Sequence, residues 1–152
     1  MSLEFEKYAA KGNELVNMLA EDLEVPRDIA ARIIRSTLHA LRSRLPLNEN
    51  FQVIAQLPMV FKSVYVDGWN LNENFERFHH IHDFLEEIRK HDGLSAAYDF
   101  GNDDNAKRAV RAVFRTLSYF ICKGEMEDII AVLPGEIKKF VNHAIGENRT
   151  VL

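Results

Sequence analysis

The chain repeats itself. Moved along by 76 positions, residues 30–65 fall on 106–141 without a gap, and ten positions coincide: Ala30/Ala106, Arg32/Arg108, Arg35/Arg111, Leu41/Leu117, Glu49/Glu125, Ile54/Ile130, Ala55/Ala131, Leu57/Leu133, Pro58/Pro134 and Lys62/Lys138. Other pairs exchange one apolar residue for another, such as Ile34/Val110, Leu38/Phe114, Val53/Ile129 and Phe61/Ile137. A sequence of this kind is expected to build one unit twice. Each copy carries an apolar face it cannot bury alone, so the copies should pack on each other about a pseudo-two-fold axis.

The unit is helical. Phe5, Tyr8, Gly12, Leu15, Leu19 and Leu23 recur every three or four residues, which places them on one helix face. A second helix over about 27–45 buries Ala30, Ile33, Ile34, Thr37, Leu38, Leu41 and Leu45, and Pro46 stops it. Asn48 or Asn50 is placed to cap a short third helix through Val53, Ile54 and Leu57. Pro58 then starts a fourth with Val60, Phe61 and Val64. Asp67-Gly68 is a turn signal, and Trp69 reads as a packed cover over the helix seam.

The second half restarts at Phe75, with Phe78, Ile81, His82, Leu85 and Ile88 repeating the first-helix spacing. Phe84-Leu85 and Ile88 match Leu15-Val16 and Leu19 at an offset of 69, so the second half holds seven extra residues within 90–105. A long helix over about 105–122 follows, ended by Lys123-Gly124, then a short one near 125–132 and a last one from Pro134 to about Ala144. The fold class is therefore all-α: two similar four-helix halves packed as one bundle. The 152 residues form a single domain, with a first repeat over about 5–66, a connector over about 67–74 and a second repeat over about 75–145. A chain this long buries about 70% of the surface it exposes when unfolded, so a hydrophobic core suffices without disulfide or metal staples.

Composition narrows the setting. A net charge of −4 argues against whole-surface binding of nucleic acid or anionic lipid and leaves room for a local basic patch. No apolar run approaches a membrane span, and Met1-Ser2-Leu3-Glu4-Phe5-Glu6-Lys7 lacks the features of a signal peptide. Cys122 has no partner for an internal disulfide, which fits a reducing, cytoplasmic compartment. It is expected to be a small buried residue late in the long helix.

Two constellations could carry chemistry. His79, His82, Asp83 and Glu86 share one helical stripe and could present two imidazoles and two carboxylates to one metal. A solvated or salt-bridged face is the simpler expectation, because the matching positions Ala10, Asn13, Glu14 and Asn17 have no such set. The other constellation is basic. Arg32, Arg35, His39 and Arg42 should lie opposite the buried face of the second helix, and Arg108, Arg111 and Arg115, with Ser118 fourth, on the matching face of the later one. Together they could contact phosphates. Alternatively they pair with Glu49, Glu125, Glu127 and Asp128 of the following helix. Glycine-rich phosphate loops and nucleophile elbows are missing, and the acidic stretch 92–104 lacks calcium-loop spacing.

The runs Ala30-Ala31-Arg32-Ile33-Ile34-Arg35, Gln56-Leu57-Pro58 and Tyr65-Val66-Asp67-Gly68-Trp69, with Gly124-Glu125-Met126-Glu127-Asp128-Ile129 and Leu133-Pro134-Gly135-Glu136-Ile137, resemble the bacterial domain-of-unknown-function family 2267. The resemblance covers roughly Leu15 to Val141. It implies an all-α fold of two similar halves in a soluble bacterial protein. It implies no activity, so no functional residue is carried over.

The resulting expectation is a non-enzymatic helical module whose partner is another protein. No catalytic, cofactor-binding or metal-ligating residue is assigned, and no cofactor. The alternatives are a metal protein using His79, His82, Asp83 and Glu86, and a polyanion binder using the arginine stripes. If a specialised site exists, the broken symmetry of the second half is the first place to look.

Overall fold

The structure is a computed structural model that describes residues 3–71, 76, 77 and 80–150, with the backbone alone for 147–150. It is all-helical, and no strand occurs among the described residues. The first half contains α1 (Phe5–Leu23), α2 (Arg27–Ser43), α3 (Leu47–Gln56) and α4 (Met59–Val66). The second contains α5 (Ile81–Asp92), a 3-10 turn (Gly93–Ser95), α6 (Ala96–Phe100), α7 (Asp103–Phe120), α8 (Lys123–Ala131) and α9 (Gly135–Thr150).

Proline sets several corners. Pro26, Pro46 and Pro58 each occupy the position just before a helix in extended backbone. There the missing N–H costs nothing, and the carbonyl accepts the first helical bond, as from Asn50 N at 3.0 Å and Lys62 N at 3.0 Å. Pro134 does the same for α9, with Lys138 N at 2.7 Å.

Several boundaries differ from the sequence-based expectation. Asn50 does not cap α3 from outside. It is buried within α3, where its amide donates to Arg42 O at 3.0 Å and Leu45 O at 2.9 Å, closing the end of α2. Its oxygen accepts from the Tyr65 hydroxyl of α4. The long helix of the second half ends at Phe120, not at Lys123-Gly124, because Ile121 turns extended and drops its side chain into the core. Cys122 then precedes α8, and its carbonyl accepts from Met126 N at 2.9 Å. The thiol is exposed and donates to Glu125 Oε1 at 2.9 Å, so Cys122 is not the buried residue expected of it. The first helix of the second half starts at Ile81; Glu76 and Arg77 are not helical, and Phe75 and Phe78 lie outside the described residues. The extra residues form the 3-10 turn and α6, which plant Phe100 in the core. Trp69 is half-buried, edge-on to Phe51 and Tyr65, as a cover over α3 and α4.

α2 lies at the centre, in contact with α1, α4, α5, α6 and α7. α5 packs on α2 as α1 packs on α7, and α3 meets α8. One core runs through both halves, from Leu15, Leu19, Ile33, Leu38 and Phe61 to Phe84, Ile88, Val113, Phe114 and Val141. α1 comes close to α4 at Gly12, where an added Cβ would stand 3.0 Å from Val60 Cγ1.

The Asn50 junction holds three helices through buried polar groups. Asn50→Ala is expected to destabilise the protein by about 3 kcal/mol, since it strands two carbonyls and a hydroxyl without water. Tyr65→Phe removes one bond and should lower stability by about 1 kcal/mol. Urea midpoints of the two variants check both values; equal, negligible losses would show that the junction carries no weight.

Candidate functional site

The arginine stripe of α2 is not a free basic face. Arg32 forms a two-pronged pair with Asp99 of α6, Nε to Oδ2 and Nη2 to Oδ1 both at 2.9 Å, and reaches Asp28 at 3.4 Å. Arg42 was expected opposite the buried face, yet it is buried and donates to Tyr65 O at 2.7 Å and Asp67 O at 2.6 Å. The reason is that α2 is covered on both sides, with α5 and α6 lying over the face read as basic. His39 Nε2 bonds Val64 O at 2.7 Å, and burial pushes its pKa below the usual imidazole value.

In the second half, Arg115 pairs with Asp22 at 2.6 Å, Ser118 donates to Arg115 O, and Arg111 lies over the Phe140 ring, 5.5 Å from its centroid. Among the described residues, the carboxylates seen paired with these arginines are Asp99, Asp28 and Asp22, where Glu49, Glu125, Glu127 and Asp128 were expected. Glu49 instead pairs with Arg77, and Glu127 with Lys123. Arg108 is exposed beside Tyr98 and Asn105. Arg35 alone of the α2 arginines is exposed and has no ion pair or hydrogen bond among the described residues.

The seam of α2 with α5 and α6 is polar and largely buried. Ser36 donates to Asp92 Oδ1 at 3.0 Å, and burial, helped by the neighbouring Asp99, pushes Asp92 up to about 6. Glu87 resists the upward pull of burial because Arg44 at 2.9 Å and Ser43 at 3.1 Å hold it charged, below its ordinary value. His91 stands 3.4 Å from Glu87 and edge-on to His39, with its pKa lowered by burial. These groups face one another inside the protein, which suits holding helices together.

The histidine stripe is only partly assembled. His79 lies outside the described residues. His82 and Glu86 come together with Asp103, the first residue of α7, their ligand atoms within 4.8 Å of one another. Asp83 takes no part and lines a cleft with Arg44, Glu76, Arg77 and Lys90. A cation is already present in the cluster: Arg89 donates to Glu86 Oε1 at 2.7 Å and to Asp103 Oδ1 at 2.9 Å. Asp103 lies on a different helix from the stripe, so one-helix periodicity could not find it.

A third feature was not anticipated. Between α1, α2 and α4 runs a groove of about 370 Å³, floored by Gly12, Val16, Ala31, Ile34, Phe61 and Val64. Arg27 and Arg35 stand at its rim. Arg27 is held there by the side-chain oxygens of Asn13 and Asn17, neither of them charged. The trough continues past Ala9 and Val60 to Phe5, Tyr8, Met59 and Val66, where Phe5 is 70% exposed. The signal lay in the repeat. Val60 and Val64 match Glu136 and Phe140, and Gly12 matches Ile81. In the second half Glu136 reaches Ile81 N at 2.8 Å, and Phe140 lies beneath Arg111.

Asp92 gives a pH test. Folded, it keeps a proton up to about 6 that it releases near its ordinary 3.8 when unfolded, so its contribution to stability falls as pH rises through that window. Asp92→Asn is therefore expected to match the parent at pH 4 and exceed it by about 2 kcal/mol at pH 7, read from urea midpoints. A constant difference across that range would contradict a raised Asp92.

The family model described as uncharacterized conserved protein (DUF2267) matches residues 12–140 of the chain. No curated protein matches it. Among the described residues, no helix is long and apolar enough to cross a membrane.

Proposed function

We propose that this chain, which belongs to the DUF2267 family, is a non-catalytic helical module that binds another protein through the groove between α1, α2 and α4. The observation that carries the reading is the groove itself: an apolar trough whose rim arginines have no acidic partner among the described residues. Exposed apolar surface that is contiguous and flanked by polar groups is characteristic of interaction sites. Phe5, Met59 and Val66 extend that surface along α1 and α4. At the corresponding positions of the second half Phe140 lies beneath Arg111 and Glu136 accepts from Ile81 N, so the open groove belongs to the first half alone among the described residues.

The other readings find less support. The metal reading loses half of its negative charge to Arg89, which already pairs with both Glu86 and Asp103. The polyanion reading loses Arg32, Arg42 and Arg115 to internal partners. The groups with shifted pKa on the α2–α5 seam are engaged by internal partners, Asp92 by Ser36 and Glu87 by Ser43 and Arg44. Glu87 also borders the cleft with Asp83 and Lys90, but a carboxylate held charged by Arg44 does not suit proton transfer to a substrate.

A photoreactive benzoylphenylalanine at Ala9, in the middle of the trough, tests the reading in the protein's own cells. It should yield one discrete protein adduct, identified by mass spectrometry, that is lost in Val64→Phe. The same residue at the exposed Ala131 of α8 should give none. No adduct at position 9, or the same adducts from both positions, would count against a binding groove.

A further inference from the structure

We infer that the occupant of the α1–α2–α4 groove is an acidic amphipathic helix, anchored by an aromatic side chain beneath Arg35. The inference rests on the proposed groove and adds the chemistry of its partner.

Shape comes first. From Phe5 to Val16, α1 borders the trough for eleven residue steps, about 16 Å at 1.5 Å per residue, or three turns of a helix lying alongside. A trough of that length, open along one side and floored by small or branched side chains, takes the apolar stripe of a helix whose residues recur at i, i+3 or i+4, and i+7. Gly12 keeps the floor low where α1 and α4 come closest.

Charge selects among such helices. Arg27 and Arg35 rim the groove eight residues apart on α2, about 12 Å along its axis. Neither meets a carboxylate: Arg27 rests on Asn13 and Asn17, and Arg35 has no bonded partner among the described residues. Every other arginine of α2 is satisfied internally. Two uncompensated guanidiniums beside an apolar floor favour carboxylates two turns apart, and a basic helix would bring like charges together.

The chain supplies its own template for the anchor. Under the 76-residue shift, Arg35 and Val64 correspond to Arg111 and Phe140. Arg111 lies over the Phe140 ring, 5.5 Å from its centroid. In the first half the ring is replaced by the shorter Val64, and Arg35, which lines the same groove, can cover a partner's ring in the same cation–π arrangement. The partner's aromatic residue would then occupy the place that Phe140 fills from within.

Three fluorescein-labelled peptides of eighteen residues provide the probes. One is helix-forming, with a Leu/Phe stripe and glutamates at i and i+7 along its edge; the second carries lysines at those edges; the third has the acidic composition in scrambled order. Fluorescence anisotropy with the full chain should show the acidic peptide binding at least tenfold tighter than the other two, with affinity falling as salt rises. Val64→Phe, which fills the groove as Phe140 does, should weaken it at least tenfold while circular dichroism and the melting temperature stay near those of the parent. Arg27→Glu with Arg35→Glu should reverse the preference toward the lysine peptide. Equal binding of the acidic and lysine peptides, both lost in Val64→Phe, would overturn the acidic partner and leave the groove reading standing. If neither helical peptide binds and dodecanoate alone occupies the groove, the partner is a small amphiphile, and both this inference and the protein-binding reading fall.

Discussion

α2 is buried on two sides, and the rest of the molecule is arranged around that constraint. Its apolar stripe of Ala30, Ile33, Ile34, Leu38 and Leu41 is covered by the first-half helices and by α7. Its polar stripe of Arg32, Ser36, His39 and Arg42 faces α5, α6 and the end of α4. A polar face can be withdrawn from water only if nearly every donor and acceptor finds a partner. The partners are specific: Asp99 for Arg32, Asp92 for Ser36, and backbone oxygens at the end of α4 for His39 and Arg42. Arg42 is thereby fixed to the carbonyls of Tyr65 and Asp67, and Asn50 to the carbonyls that end α2, so the first half closes on itself through polar contacts around a shared core.

The extra residues of the second half take their meaning from that seam. They could have remained a surface loop. Instead they form α6, whose Phe100 enters the core and whose Asp99, with its side chain out of solvent, holds Arg32. The two halves are thus joined by an ion pair that one of them alone possesses. An ion pair of this kind adds less to stability than to specificity, because desolvating both charges offsets most of their attraction. Its effect is to fix the register of α5 and α6 along α2.

The open groove has the opposite character. Where the second half sets Phe140 beneath Arg111 and draws Glu136 to the start of α5, the first half has Val60 and Val64 lining the groove beside Arg27 and Arg35, which meet no carboxylate among the described residues. Apolar area left in water lowers stability by about 25 cal/mol per Å² relative to covering it. The corresponding positions are therefore covered from within in one half and left open to water in the other. The two halves differ twice, once by the α6 segment that locks the seam and once by the shorter side chains that line the groove.

The amino-acid sequence by itself determined the helices, their proline corners, most of the core positions and the match between the halves. Those follow from local backbone chemistry and from a periodicity of apolar residues that only helices can satisfy. It grouped Arg32, Arg35, His39 and Arg42 on one stripe of α2 opposite the buried face. The tertiary structure alone decided that Arg32, His39 and Arg42 are covered while Arg35 stays exposed, because burial of a polar face depends on whether another element brings matching groups, and Asp99 lies sixty-seven positions away. It decided that Cys122 is exposed, since one extended residue at Ile121 redirects the chain. It replaced Asp83 by Asp103 beside His82 and Glu86, a neighbour from another helix. And it opened the α1–α2–α4 groove, since a groove exists only where three helices meet and their side chains are too short to fill the space between them.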